Sequence, residues 1–157
     1  MMRCFVLWLL LLGLGLPGLM MPAPAAAEGP SLEEYLLSFD YAERREMKAG
    51  SQQLLGLLLN DEAVLVDIRF PEERQAWSMG FGLAIPLNEL PQRLDELPRD
   101  KIIVTACPLK DRAIIAMTYL RTQGFESRYL TDGLLELARA LRGDDARFFL
   151  ELLSEID

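Results

Sequence analysis

The sequence predicts an α/β fold, a three-layer domain in which a five-stranded parallel sheet carries helices on both faces. Three observations lead there. Ala63-Val64-Leu65-Val66-Asp67 is apolar without alternation, the pattern of a strand covered on both sides. Residues 102–106, 113–123 and 127–130 read as strand, helix and strand in succession, with Gly124 as the helix stop. Helical patterns separate the strand-like segments along the chain, and strands joined through helices pair in parallel.

The elements follow in chain order. Met1-Met2-Arg3 precedes an apolar stretch over residues 4–16, broken by Pro17-Gly18, and Ala25-Ala26-Ala27 offers a small-residue cleavage site. This is the layout of a secretory signal peptide over residues 1–27. The rival reading is an uncleaved membrane anchor, which Gly13, Gly15, Pro17 and Gly18 disfavour. Residues 28–45 read as a linker and a short helix, opened by the capping box Ser31-Leu32-Glu33-Glu34, with Leu32, Tyr35, Leu36 and Phe39 as its apolar face. An extended piece at 46–49 precedes a helix over 52–59 with Ser51 as its N-cap. Pro71-Glu72-Glu73 starts another helix, with carboxylates at the positive end of its dipole. Gly80-Phe81-Gly82 turns the chain into a strand at 83–86, and a helix over 90–97 is stopped by Pro98. Thr131-Asp132-Gly133 is a turn, and helices at 134–142 and 145–155 finish the chain. The domain proper is predicted over 46–142, with 143–157 a C-terminal helix packed on it or extending from it.

The chain has 157 residues and a formal net charge of −8, which becomes −9 if Arg3 leaves with the leader. Such an acidic surface argues against nucleic acid and anionic membranes as partners, and cleavage would leave no stable membrane insertion. The chain has no histidine, which removes Cys–His catalysis and most transition-metal sites; no metal site is predicted. Of its two cysteines, Cys4 lies in the leader, so Cys107 has no partner for an internal disulfide.

Cys107 follows the run Lys101-Ile102-Ile103-Val104-Thr105-Ala106 and precedes the polar turn Pro108-Leu109-Lys110-Asp111-Arg112. A sulfur at that strand end faces a helix N-terminus, whose unpaired N–H groups and dipole stabilise a thiolate. Arg112 adds a fixed positive charge in the first helical turn, a costly place for a cation unless an anion sits beside it. The bland alternative for Cys107 is a small apolar residue buried at a strand end, and for Lys110 an ordinary exposed lysine. Asp67 and Arg69 follow a buried strand and read as structural, with Asp67 capping backbone donors or pairing with an arginine to hold neighbouring loops. Gly133 reads as a positive-φ turn near the pocket, and Trp77 and Met79 as core or pocket-rim packing.

Taken in order, four stretches resemble the rhodanese-like domain family over about residues 46–142. They are Val64-Leu65-Val66-Asp67-Ile68-Arg69-Phe70-Pro71-Glu72-Glu73, then Ala84-Ile85-Pro86-Leu87-Asn88-Glu89-Leu90, then the Cys107 loop with its flanking elements, then Gly124-Phe125 with residues 129–134. The resemblance implies a five-stranded parallel sheet between helical layers. It also implies a sulfurtransferase in which Cys107 attacks a sulfane sulfur and passes it, as a persulfide, to a thiol or cyanide. Cys107 and Arg112 would be the catalytic residues, and Pro108, Leu109, Lys110, Asp111 and Ala113 the substrate-binding loop, with no metal or organic cofactor. The implied partners are a small sulfur-containing donor or a persulfidated thiol, and a protein acceptor.

Cys107 and Arg112 enclose four residues, one fewer than the Cys-x₅-Arg loop of related phosphatases and arsenate reductases, and the shorter spacing fits a sulfurtransferase. The loop also departs from the family pattern. Pro108 lacks an N–H, no glycine is present, and Asp111 sets a negative charge near an anion site, partly offset by Lys110 and Arg112. These departures weigh against thiosulfate as donor. The alternative reading is a rhodanese-fold module with little turnover that holds an anion or docks a protein. The expected location is exported, in the periplasm, or membrane-anchored if the N-terminal segment stays.

Overall fold

β2 (Ala63–Asp67) and β4 (Ile102–Ala106) pair side by side at the centre of a sheet, residue for residue from Ala63 opposite Ile102 to Asp67 opposite Ala106. The structure is a computed structural model and describes residues 29–156; the leader read at residues 1–27 lies outside the described residues. β1 (Lys48–Ala49), β3 (Leu83–Ala84) and β5 (Ser127–Leu130) complete the order β1-β5-β4-β2-β3, and every pairing is parallel. The five strands are those read from sequence. Parallel pairing brings all their carboxyl ends to one edge, where the Cys107 loop, Asp67 and Gly133 gather.

Side-chain alternation then sorts the core into two layers. Val66 and Ile103 point toward α5 (Asp111–Thr122), where Ala113, Ala116, Met117 and Leu120 join them with Ile85, Leu90 and Cys107. Leu65 and Val104 point the opposite way, onto α3 (Ser51–Leu59), α6 (Gly133–Ala140) and α7 (Asp144–Leu153). Phe149 anchors α7 in that second layer, against Phe81. α4 (Pro71–Ala76) starts at Pro71, as the sequence predicts.

The stretch read as linker and short helix folds as two helices, α1 (Leu32–Leu37) and α2 (Tyr41–Glu46). The capping box is present: the Ser31 N–H and hydroxyl both donate to Glu34, and the Glu34 N–H donates back to Ser31 Oγ. The apolar face is corrected, because only Tyr35 is buried while Leu32, Leu36 and Phe39 stay exposed. Tyr35 instead reaches Glu43 of α2, and Glu43 pairs with Arg121 of α5. Burial and that carboxylate push the Tyr35 hydroxyl up to about 12. α2 itself, YAERRE, has no apolar stripe to betray it; the Asp40 carboxylate caps it through the Glu43 N–H at 2.8 Å.

Three other elements differ from expectation. Ser51 is the first helical residue of α3 rather than its cap; Gly50 holds the cap position, and the Ser51 N–H donates to the Asp132 carboxylate at 3.2 Å. A residue distant in sequence supplies the missing cap. Residues 90–97 form two 3-10 turns, Leu90–Gln92 and Leu94–Glu96, instead of a helix. Pro91 supplies no N–H there, and Arg93 binds Glu89 and Glu96 across the two turns. α5 begins at Asp111, two residues ahead of the predicted start at 113, with the Ile114 N–H bonded to the Lys110 carbonyl.

The layers predict a sharp contrast between two leucines. Leu54 is 0% exposed in the α3 layer and Leu37 is 81% exposed on α1. Urea denaturation of Leu54→Ala is expected to show a loss of about 2–5 kcal/mol, against about 0.5 kcal/mol or less for Leu37→Ala. Equal losses would contradict the placement of α1.

Candidate functional site

At the carboxyl end of β4, Thr105 ties strand to helix: its hydroxyl lies 2.8 Å from the Ala113 carbonyl and 3.2 Å from that of Arg128. Two residues on, Cys107 points into the α5 layer with 0% of its surface exposed. The loop beyond it comes quickly to the surface, with Leu109, Lys110 and Asp111 all exposed. Asp111 nevertheless turns one carboxylate oxygen back to the sulfur, 3.6 Å from Sγ, within reach of the thiol proton.

The loop is held from one side and left open on the other. Leu134 and Leu135, at the start of α6, donate their N–H groups to the carbonyls of Cys107 (2.9 Å) and Pro108 (3.4 Å). Gly133 makes that approach possible. Its φ is +73°, and a Cβ there would lie 2.2 Å from the Leu109 carbonyl oxygen and 2.4 Å from that of Pro108. On the other side, α5 begins without a side-chain cap, Lys110 occupying the cap position. Its first-turn N–H groups have no helical acceptor and can meet an anion.

Arg112 sits in that first turn, and the anion beside it is Glu73. The two form a bidentate pair, Nη1 to Oε2 at 2.6 Å and Nη2 to Oε1 at 2.7 Å, with the Phe70 ring 5.9 Å from the guanidinium. The Arg112 hydrogen bonds, helped by the Phe70 N–H, hold the Glu73 carboxyl down to about 2 against the opposing effect of burial. Arg112 is correspondingly held above its ordinary value, first by Glu73, with Cys107 and Asp111 adding to the effect. The cost read from its place at the helix start is therefore met by a carboxylate of this chain. Sequence reading misses this partner: Glu73 reads as a local dipole residue, and nothing local relates it to a side chain 39 positions away.

Of the two structural roles read for Asp67, pairing with an arginine is present, and the arginine is Arg69. Arg69 is buried and donates from Nε and Nη2 to both Asp67 oxygens, at 2.7–3.1 Å, and from Nη2 to the Trp77 carbonyl at 3.1 Å. The Trp77 ring stacks on its guanidinium at 3.9 Å, and Arg74 Nε lies 3.3 Å from Asp67. These groups fix the loop after β2 and the start and end of α4. Trp77 and Met79 pack at the edge of the α3, α6 and α7 layer. Among the described residues no group of three or more His, Cys, Asp or Glu side chains is placed to hold a metal, and no helix is long and apolar enough to cross a membrane.

No family model matches the chain. A sulfurtransferase of Allochromatium vinosum is 34% identical over 65 residues, covering 41% of this chain and 61% of the relative. An HTH-type transcriptional regulator of Mycobacterium tuberculosis is 40% identical over 77 residues, covering 48% of this chain and 34% of the relative. The chain thus spans less than two thirds of either relative. Among solved structures, a rhodanese-related protein of Thermoplasma volcanium matches with a TM-score of 0.53 at 22% identity, over 59% of this chain and 90% of that one. That last likeness is one of fold.

Two measurements check the charge arrangement. Arg69→Leu strands the Asp67 carboxylate in a buried site and is expected to lower stability by about 3 kcal/mol, with Asp67→Asn added to it recovering part of the loss. The folded Glu73 value lies below its ordinary 4.5, so its pairing stabilises the protein above pH 4.5 and is lost as the pH falls toward about 2. Acid titration of stability should therefore be shallower in Glu73→Gln than in the parent across that window.

Proposed function

We propose that this chain, whose fold matches a rhodanese-related protein and whose sequence matches a sulfurtransferase in part, is a rhodanese-like sulfurtransferase working through a persulfide on Cys107. The observation that carries the reading is the placement of Cys107 at the end of β4, beside the uncapped start of α5, in a loop anchored from behind by α6. The Cys107 thiolate attacks the outer sulfur of a donor; a new S–S bond forms and the donor bond breaks, its electron pair leaving with the departing group. The persulfide anion lies against the first-turn amides of α5, with Arg112 adding positive charge nearby. A thiol or cyanide then removes the sulfur. Because Cys107 has no exposed surface and Asp111 Oδ1 lies against its sulfur, each half-reaction requires the loop beyond Cys107 to open a path to Sγ. We further propose that the protein is exported with residues 1–27 removed, and that its acceptor is a small thiol or a protein thiol.

Two observations favour a second reading, a rhodanese-fold module with little turnover. Cys107 belongs to an apolar cluster and the Arg112 charge is paired with Glu73. A domain that binds an anion or a protein would have these features, and one sequence relative is a transcriptional regulator.

Mass spectrometry of the reduced protein separates the two. After exposure to polysulfide, the sulfurtransferase gains one sulfur, about 32 Da, reversed by cyanide and abolished in Cys107→Ala. Arg112→Ala retains the gain but forms it more slowly. No Cys107-dependent gain in a folded protein establishes the second reading.

A further inference from the structure

We propose that Asp111 selects the sulfur donor, admitting hydropersulfides, R–S–SH, and turning away sulfonate donors such as thiosulfate. The inference rests on the sulfurtransferase reading above and names the substrate class for that site. Asp111 is exposed, yet its Oδ1 lies 3.6 Å from a sulfur that is itself fully buried. A donor reaching Sγ from solvent along this side chain meets the carboxylate first.

That charge is only partly offset by its neighbours. Arg112, which follows Asp111 directly, is bound through both terminal guanidinium nitrogens to Glu73. Lys110 forms no ion pair among the described residues and its side chain lies in solvent, where screening weakens its reach. Pro108 removes one amide donor from the loop. A dianionic donor that must pass within a few ångströms of this carboxylate to reach the buried sulfur is repelled by it. A protonated persulfide end carries no such penalty and can donate its S–H to the same oxygen.

The carboxylate also has a proton to handle. Asp111 accepts the Cys107 thiol proton, and the thiolate attacks the outer sulfur of R–S–SH. The Sγ–S bond forms as the donor S–S bond breaks, and R–S⁻ leaves with its electron pair. Asp111 returns the proton to R–S⁻, so the products are Cys107–S–SH and R–SH, with no external oxidant or reductant. The second-order rate of Cys107 persulfide formation, followed by mass spectrometry in rapidly quenched samples, tests this with thiosulfate and glutathione hydropersulfide as the probes. The parent should load faster from the hydropersulfide. Asp111→Asn should raise the thiosulfate rate and lower the hydropersulfide rate, each by at least about tenfold, whereas Asp111→Glu should keep the parental order. A parent that prefers thiosulfate, or an Asp111→Asn protein in which both rates fall together or the ratio stays put, overturns the role of Asp111 while leaving the sulfurtransferase reading intact. A parent that loads from neither donor, nor from polysulfide, overturns that reading and this inference with it.

Discussion

The buried pair of Asp67 and Arg69 is the constraint from which the geometry of the site follows. β2 lies between β4 and β3, so the chain leaving it passes through the middle of the sheet edge where the loops gather. Arg69 cannot turn to solvent there, and its guanidinium is held by Asp67, the Trp77 carbonyl and the Trp77 ring. Holding Trp77 closes α4 back onto the strand it came from. The pair adds little net stability beyond what an apolar replacement would supply; its effect is to allow one arrangement of this loop. With α4 so placed, Glu73 in its first turn stands opposite Arg112 in the first turn of α5. Two helix starts are thereby joined by one ion pair, a short distance from Cys107.

The two helix N-termini around the Cys107 loop do different work. α6 directs its amides at loop carbonyls, which locks the backbone of Cys107 and Pro108 and demands glycine at 133. α5 directs its first-turn amides at no side-chain cap, which leaves their partial positive charge unmatched beside Cys107. A reactive group in a rigid fold needs both conditions: a fixed backbone behind it and unmatched donors ahead. The exposed residues Leu109 to Asp111 lie on the side that α6 does not anchor through hydrogen bonds to its amides.

Much of this was legible in the sequence, and the failures share a cause. The strands at 63–67, 102–106 and 127–130 announce themselves because residues covered on both faces must be apolar over a short run. The Ser31 capping box and the Pro71 helix start are equally local, each a matter of side chains within one turn. What was missed is held together by residues far apart. α2 depends on Glu43 meeting Arg121, α3 takes its cap from Asp132, and Arg112 finds its anion in Glu73. The position of Cys107 at a strand end could be read, but its burial among Val66, Ile68, Ile85 and Met117 depends on how α5 and the loops after β2 and β3 close over that face of the sheet.

These non-local pairings bear on what the sulfur can hold. A loop made to seat a bulky oxyanion presents a free guanidinium together with several amides, so that each oxygen finds a donor. Here the guanidinium already has a carboxylate partner, the first loop amide is absent at Pro108, and a second carboxylate approaches the sulfur. The backbone dipoles at the start of α5 remain, each set of which stabilises an adjacent single charge by roughly 0.3–1 kcal/mol at the surface and more when sheltered. That is enough for one sulfur bearing one charge, and poor provision for a sulfonate with three oxygens and two charges. On the proposed reading, the burial of Cys107 and the Asp111 carboxylate beside it favour a donor whose sulfane sulfur arrives without a sulfonate.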